Sequence, residues 1–138
     1  MPKDLSLSEA YVIQASLVQA VSGGALAGYK AGVTAPAGQK QFGIDQPLIG
    51  ALYEYGRLQS GASLASGPGV SLECEIGLVI TSDGTPKSAG PVIEVPRMAW
   101  ADSSDATGTN LAACNIAADR FIVGEQADIR EDYGDIDV

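Results

Sequence analysis

Two glutamates at the start of the most strand-like segment constrain the fold of this chain more than any other feature. Glu73 and Glu75 flank Cys74, and the following run, Ile-Gly-Leu-Val-Ile, is apolar and β-branched, as in a buried strand. Alternate residues of a strand project from the same face, so the two carboxylates are predicted to lie side by side. Neighbouring carboxylates repel each other and are costly to desolvate, so a buried strand of this kind needs a partner of opposite charge.

A hard divalent cation is one such partner, because carboxylate oxygens are the preferred ligands of Mg²⁺ and Mn²⁺. Glu94 lies in a second apolar run, Pro-Val-Ile-Glu-Val-Pro, and is a candidate third ligand. The alternative is that Glu73 and Glu75 form the solvent face of a half-exposed sheet, with Glu94 on an alternating edge strand. Spacing alone favours this alternative. The other segments of the sequence are needed to distinguish a metal site from a solvent-exposed face.

The composition indicates one domain spanning residues 1–138. With 46% hydrophobic residues, 6% aromatic residues and 17 glycines, the chain is typical of a turn-rich β or α+β domain. A net charge of −9 argues against a nucleic-acid or anionic-membrane partner, since there is no basic patch to release counterions. The absence of histidine from the sequence excludes imidazole acid–base catalysis and histidine-containing zinc sites within this chain.

The cysteines and the N-terminus bear on the cellular compartment. Cys74 and Cys114 both lie in apolar surroundings, which predicts reduced, buried thiols rather than a disulfide. No stretch is long and apolar enough to span a membrane, and Asp4 and Glu9 interrupt the N-terminal segment where a signal peptide is uniformly apolar. We therefore expect a cytoplasmic protein.

Periodicity and turn residues predict the secondary structure. Ser6 and Glu9 form a capping box, and apolar residues at helical spacing then predict an amphipathic helix over residues 7–22 that ends at Gly23. Strands are predicted over residues 26–33, 48–55, 72–81, 92–95 and 120–123, with short helical segments at 35–42 and 111–118. Residues 59–69 are predicted to form a loop, and a turn is predicted at residues 82–84.

Five segments in order match one known family. They are Gly-Tyr-Lys-Ala-Gly-Val-Thr (28–34), Gln-Phe-Gly-Ile-Asp-Gln-Pro-Leu-Ile-Gly-Ala-Leu (41–52), Glu-Cys-Glu-Ile (73–76), Pro-Val-Ile-Glu-Val-Pro (91–96) and Asn-Ile-Ala-Ala-Asp-Arg-Phe-Ile-Val-Gly (115–124). Together they resemble the 2-keto-4-pentenoate hydratase and 4-oxalocrotonate decarboxylase group of the fumarylacetoacetate hydrolase superfamily. The resemblance covers most of the chain from Leu7 onward.

The resemblance implies an α+β, mixed-β fold and a lyase that depends on Mg²⁺ or Mn²⁺. Glu73, Glu75 and Glu94 match the three carboxylates that hold the metal in the family. Members of the family act on small 2-oxo or 2-hydroxy-dienoate acids from aromatic-ring degradation. Hydratases add water to the conjugated alkene and decarboxylases release carbon dioxide, and the sequence does not distinguish the two.

Three further residues match family positions. Lys30 matches an active-site lysine, and partial desolvation on a buried strand would suit it for proton transfer or for pairing with a substrate carboxylate. Its alternative is a surface lysine whose charge reaches solvent. Asp45 matches an acidic residue of the same neighbourhood, although before Pro47 it also fits a plain turn. Asn115 matches an asparagine near the substrate, but Cys114 precedes it where many relatives have aspartate.

The chain departs from the family in two places. The interval from Glu75 to Glu94 is shorter than in relatives, which place a helix there, and relatives continue past Val138 into further strands that close the sheet. Three explanations are open: a subunit of a split enzyme completed by a homologous or complementary chain, a piece of a longer protein, or a degenerate relative without catalysis. The initial Met and the helix cap favour the split subunit. The functional alternatives are a non-catalytic partner subunit and a free-standing binding protein for oxo acids.

Overall fold

A computed structural model describes residues 4–129, which form an α+β fold, as the sequence predicts. The strands are arranged in two sheets. The helices are α1 (Leu7–Ser22), α2 (Pro36–Phe42) and α3 (Gly108–Ala113). The strands are β1 (Leu26–Gly32), β2 (Leu48–Tyr53), β3 (Arg57–Leu58), β4 (Glu73–Ile80), β5 (Pro86–Val95), β6 (Arg120–Val123) and β7 (Ala127–Asp128). Single 3₁₀ turns lie at Glu54–Gly56, Ser103–Asp105 and Asn115–Ala117.

Helix α1 begins and ends where its sequence signals place it. The Ser6 side chain accepts a hydrogen bond from the Glu9 backbone N–H, while the Glu9 carboxylate accepts one from the Ser6 backbone N–H at 2.9 Å. These two bonds satisfy donors that the first turn of a helix otherwise leaves without partners. Gly23 ends the helix in the left-handed region, with φ of 61°. The predicted helix is thus confirmed at both ends.

The strands form two separate sheets. Antiparallel strands β1 and β2 form a two-stranded sheet, and the second sheet has the order β3-β6-β5-β4, with β7 also paired to β5. Strand β5 is central: it pairs with β4 along one edge and with β6 and then β7 along the other. Pro91 has no N–H to donate, and its carbonyl accepts from Gly124 at the break between β6 and β7.

In the part of the chain that the structure describes, side chains rather than a third strand cover the outer edge of β2. The Ile49 N–H donates to the Tyr11 hydroxyl at 2.9 Å, and the Ile49 carbonyl accepts from the Gln14 amide at 3.0 Å. Two residues further on, the Asn115 side chain accepts from the Ala51 N–H at 2.7 Å and donates to its carbonyl at 2.9 Å. The backbone groups of this edge are therefore paired without extending the sheet.

The main core lies where α1 and α3 pack against β2. Its buried residues are mostly small or aliphatic: Ala10, Leu48, Leu111, Ala112, Ala113 and Ile116. Partly buried side chains, among them Phe42, Met98 and Trp100, surround this cluster. Because three of the six core residues are alanines, α1 and α3 approach each other closely.

Several predictions about burial are wrong. Strand β4 was expected to be buried, yet Ile76, Leu78 and Ile80 keep 79%, 54% and 50% of their surface exposed. Cys74 on the same strand is exposed rather than buried, although both cysteines are free as expected. The physical reason is topological: within residues 4–129, β4 pairs with β5 alone and is an edge strand. Periodicity reports the hydrophobicity of a strand and not whether anything covers it.

The boundaries of some elements also differ from expectation. Strand β5 begins at Pro86 instead of residue 92, because the turn at residues 82–84 joins β4 and β5 as a hairpin. The two-residue strands β3 and β7 were not predicted. Of the apolar face predicted for α1, only Ala10 is buried, while Ile13, Leu17 and Val21 are more than one-third exposed.

None of the helices formed by residues 4–129 is long and apolar enough to cross a lipid bilayer.

The capping box gives a test of the fold. We expect Ser6→Ala to lower the free energy of unfolding by about 0.5–2 kcal/mol, because it removes the oxygen that accepts from the first turn. Ser16→Ala is the control, since Ser16 lies exposed in the middle of α1 and its hydroxyl donates only to the Val12 carbonyl. Urea denaturation of both variants measures the difference; equal stability of the two would contradict the role of the cap.

Candidate active site

A buried ion pair joins the two sheets. The Lys30 ammonium on β1 donates to the Glu94 carboxylate on β5, and the two side chains are only 9% and 5% exposed. Lys30 therefore does not extend its charge to solvent, and Glu94 is not on a solvent face. A buried pair is costly to desolvate, and structural cores rarely retain one without a reason in specificity or function.

The residue opposite Lys30 on β2 makes the contact between Lys30 and Glu94 sterically possible. Gly50 is the cross-strand partner of Lys30 in the β1–β2 ladder. A Cβ at Gly50 would lie 3.2 Å from Lys30 Cγ and 3.1 Å from the Asn115 carbonyl oxygen. Because Gly50 has no side chain, the lysine stem crosses the β2 backbone and Lys30 reaches the second sheet.

Glu73 and Glu75 lie on the same side of the second sheet as Glu94. Glu73 is the direct cross-strand partner of Glu94, and Glu75 follows it by two residues along β4. Residues opposite each other in an antiparallel ladder share a face, as do alternate residues of one strand. All three glutamates and Lys30 line one cavity of about 1050 Å³, which is open to solvent at the exposed Glu73 and Glu75.

Burial and charge together shift the titration of Glu94. Burial raises the pKa of Glu94 above its ordinary value, and the negative charges of Glu73 and Glu75 raise it further. The hydrogen bond from Lys30 and its positive charge act in the opposite direction and offset only part of this. Independently of this shift, three carboxylates and one ammonium line this part of the cavity, and the excess of acidic groups favours the binding of an additional cation.

The donor chemistry fits a hard divalent cation, but the side chains are not gathered around a single point. Within residues 4–129, no group of three or more histidine, cysteine, aspartate or glutamate side chains is arranged to hold a metal ion. Glu94 pairs instead with Lys30, and Glu73 and Glu75 are exposed on the edge strand. The assignment of Glu73, Glu75 and Glu94 as metal ligands therefore stays a prediction.

Asp45 and Asn115 lie outside this group. Asp45 is exposed in the bend between α2 and β2 and does not line the cavity. Asn115 is 1% exposed, and both ends of its amide bond to the Ala51 backbone, so its observed contacts are structural. The catalytic role of Asp45 and the substrate-binding role of Asn115 remain predictions from the resemblance alone.

Arg57 was not singled out from the sequence but lines the same cavity. Its guanidinium lies over the Phe121 ring, 5.2 Å from the ring centroid, and its Nε donates to Glu54 at 3.3 Å. The one signal in the sequence is its position two residues after the predicted 48–55 strand. Only the parallel pairing of β3 with β6 brings it to the site, and β3 is too short to be recognised by periodicity.

The fold is similar to that of half of a solved decarboxylase. Two solved structures of 4-oxalocrotonate decarboxylase from Pseudomonas putida G7, one complexed with magnesium and adipate and the other with calcium and acetate, match 91% of this chain. The TM-scores are 0.70 and 0.68, at 20% and 22% sequence identity. The chain covers 54% and 53% of those two chains.

The sequence is similar to that of a hydratase of the same group. A 2-keto-4-pentenoate hydratase from Paraburkholderia phymatum is 37% identical over 117 residues, which are 81% of this chain and 41% of the hydratase. No protein-family model matches the chain. The resemblance predicted from the five segments is confirmed, and the chain spans about half the length of the relatives it matches.

A double-mutant cycle tests whether Lys30 and Glu94 stabilise each other. We expect Lys30→Met or Glu94→Gln alone to destabilise the protein by about 3–5 kcal/mol, because each leaves one buried charge without its partner. The double variant should lose less than the sum of the two. Urea denaturation measures the coupling, with exposed Lys40→Met as the control. Additive losses would show that the two charges do not interact.

We also expect the stability lost in Lys30→Met to depend on pH. Without Lys30, the folded-state pKa of Glu94 should rise further, because the interactions that lower it are gone. A raised folded-state pKa gives stability that is present at low pH and lost as the pH rises. The deficit of Lys30→Met relative to wild type should therefore be largest at neutral pH and narrow as the pH falls through the raised pKa of Glu94. A deficit independent of pH would contradict this assignment.

Proposed function

We propose that this chain carries the metal-binding half of a divalent-metal-dependent lyase, hydratase-like or decarboxylase-like, that acts on a small 2-oxo or 2-hydroxy-dienoate acid. One observation supports this most strongly: Glu73, Glu75, Glu94 and Lys30 face one cavity although they come from three strands in two sheets. The similarity to a hydratase and the fold shared with decarboxylases support the same class of reaction.

Mg²⁺ or Mn²⁺ held by Glu73, Glu75 and Glu94 would supply Lewis acidity and a template for a 2-oxo acid. Magnesium and calcium accompany the decarboxylase structures, which supports a divalent ion with oxygen ligands. The excess of carboxylates over lysine in this part of the cavity provides the charge that such an ion needs. Glu94 would exchange its bond to Lys30 for one to the metal.

Lys30 would bind the substrate or transfer a proton to or from it. Its ammonium has three N–H donors, and among the described residues only Glu94 accepts from it. The remaining donors are suited to a substrate carboxylate or to a proton transfer near the reacting carbons. The lysine stem packs against the β2 backbone at Gly50, where a Cβ would lie only 3.2 Å from Lys30 Cγ. Asp45 is assigned to proton handling on the resemblance alone.

An exposed edge favours a second candidate, a non-catalytic subunit that stabilises or activates a full-length homologue. Strand β4 has its outer backbone edge and several apolar side chains uncovered within residues 4–129. Such an edge is a template for strand addition by another chain. The lyase proposal also uses this edge, since a homologous or complementary chain would complete the cavity there.

Metal binding tests the lyase proposal directly. We expect Mn²⁺ or Mg²⁺ to raise the melting temperature of the wild type, equivalent to about 2.7 kcal/mol at an ion concentration 100 times the dissociation constant. Glu75→Gln should abolish this shift. Glu125→Gln is the matched control, because Glu125 is exposed and does not line the cavity. An unchanged shift in Glu75→Gln would exclude Glu75 as a ligand.

Native mass spectrometry of the protein purified from its own host tests for a companion chain. The split-enzyme proposal predicts a complex with a second polypeptide, and turnover of a 2-oxo-dienoate only in that complex. The activating-subunit alternative predicts a complex whose turnover survives Glu75→Gln in this chain. Full activity of the 138-residue chain by itself would contradict both.

A further inference from the structure

The apolar face of α1 extends beyond the core that it packs against. Ala10 is buried beside α3, but Ile13, Leu17 and Val21 continue this face at every fourth position and keep 38%, 37% and 46% of their surface exposed. Ile49, whose backbone groups bond to side chains of α1, is 56% exposed next to the helix. A surface helix normally carries polar or charged residues where it meets water. Apolar side chains grouped in this way mark a surface for association.

This part of the chain carries no charge. Residues 10–29 form an uninterrupted run without Asp, Glu, Lys or Arg, although charged residues make up 18% of the sequence. Glu9 is the one charged residue of α1, and its carboxylate is engaged in the capping box. The net charge of −9 therefore lies elsewhere, and two copies of this chain that meet through α1 bring no like charges into contact. Because the run has no Lys or Arg, it is a poor match for an anionic lipid surface.

The shape of the α1 surface is complementary to itself. Side chains four residues apart form ridges on a helix, and the ridge that contains Leu17 lies next to one formed by Val12, Ser16 and Ala20. Ser16 and Ala20 are small and exposed, so they leave room for the larger ridge of another copy. The Ser16 hydroxyl donates to the Val12 carbonyl at 3.1 Å, so it already has a hydrogen-bond partner and needs no water there.

We propose that α1 and Ile49 form an interface with a second copy of this chain, in which the two α1 helices cross and their ridges interlock. Ridges of this spacing favour a crossing angle of about −50°. Leu17 is the middle residue of the exposed ridge, so a two-fold axis close to it lets each helix contact the same residues of the other. Ile13, Leu17, Val21 and Ile49 do not line the cavity, so this association goes beyond the proposed function and does not depend on it.

Sedimentation equilibrium of the 138-residue chain, without metal or substrate, measures the association. One pair of crossed helices buries less surface than a standard interface, so we expect a dimer with a dissociation constant between about 1 µM and 1 mM. Ser16→Glu should weaken the dimer at least about ten-fold, because it places two negative charges at the crossing. Ser16→Lys should weaken it for the same reason, and an equimolar mixture of the two variants should form a heterodimer.

Ala37→Glu is the matched control. Ala37 is exposed on α2, so this substitution adds the same charge to a helix outside the proposed interface. It should dimerise as the wild type does. Urea denaturation checks that both Ser16 variants fold, as expected for a position that is exposed in the monomer.

Three results would overturn the proposal. The first is a wild type that stays monomeric at millimolar concentration, whether or not it binds lipid vesicles. The second is a dimer that survives both Ser16 variants or is lost in Ile76→Lys, since Ile76 is on the exposed edge strand β4 and the contact would then lie there. The third is equal weakening in Ala37→Glu, which would show a general effect of charge.

Discussion

The Lys30–Glu94 ion pair is the interaction on which the arrangement of the site depends. It joins the small sheet to the large one, and both side chains are almost completely buried. Two charges removed from water are retained only where their geometry is well defined. Here the geometry comes from the missing side chain at Gly50 on one side and from the central position of β5 on the other. The pair therefore fixes how β1 sits over the face of the second sheet that carries Glu73 and Glu94.

A turn of three residues with positive φ angles supports strand β2. Asn115, Ile116 and Ala117 have φ angles of 54°, 50° and 58°, and each non-glycine residue in this conformation costs roughly 1–2 kcal/mol. The contacts made by the turn offset this cost: Asn115 bonds to both backbone groups of Ala51, and Ile116 packs where Gly32 has no Cβ. The turn thus holds β2, and β2 holds Lys30 through the β1–β2 ladder. This accounts for the presence of Asn115 without any contact to a ligand.

Local signals in the sequence predicted most of the elements, whereas long-range pairing determined which predictions about burial were correct. The capping box, Gly23 and the apolar spacing of α1 act within a few residues, and the predicted helix has the observed bounds. The Glu73–Glu75 pair was correctly placed on one face because strand alternation is also local. The exposure of Ile76, the pairing of Arg57 with Phe121 and the left-handed turn at Asn115 depend on residues tens of positions away. No periodicity within one segment contains that information.

If the proposed function is correct, the exposure of β4 links the affinity of the site for a cation to its being covered by another polypeptide. Glu73 and Glu75 project from an edge strand into water, where the repulsion between carboxylates is partly screened. A polypeptide that covered β4 would pair its free edge, bury Ile76 and Leu78, and exclude water from both glutamates. The repulsion among Glu73, Glu75 and Glu94 would then grow, and a divalent ion would become the most effective means of relieving it. Binding of the cover and binding of the metal would each strengthen the other, because both favour the same desolvated arrangement. Under the proposed function, the exposed carboxylates of the uncovered edge and a metal site at the same residues would be two states of one electrostatic balance.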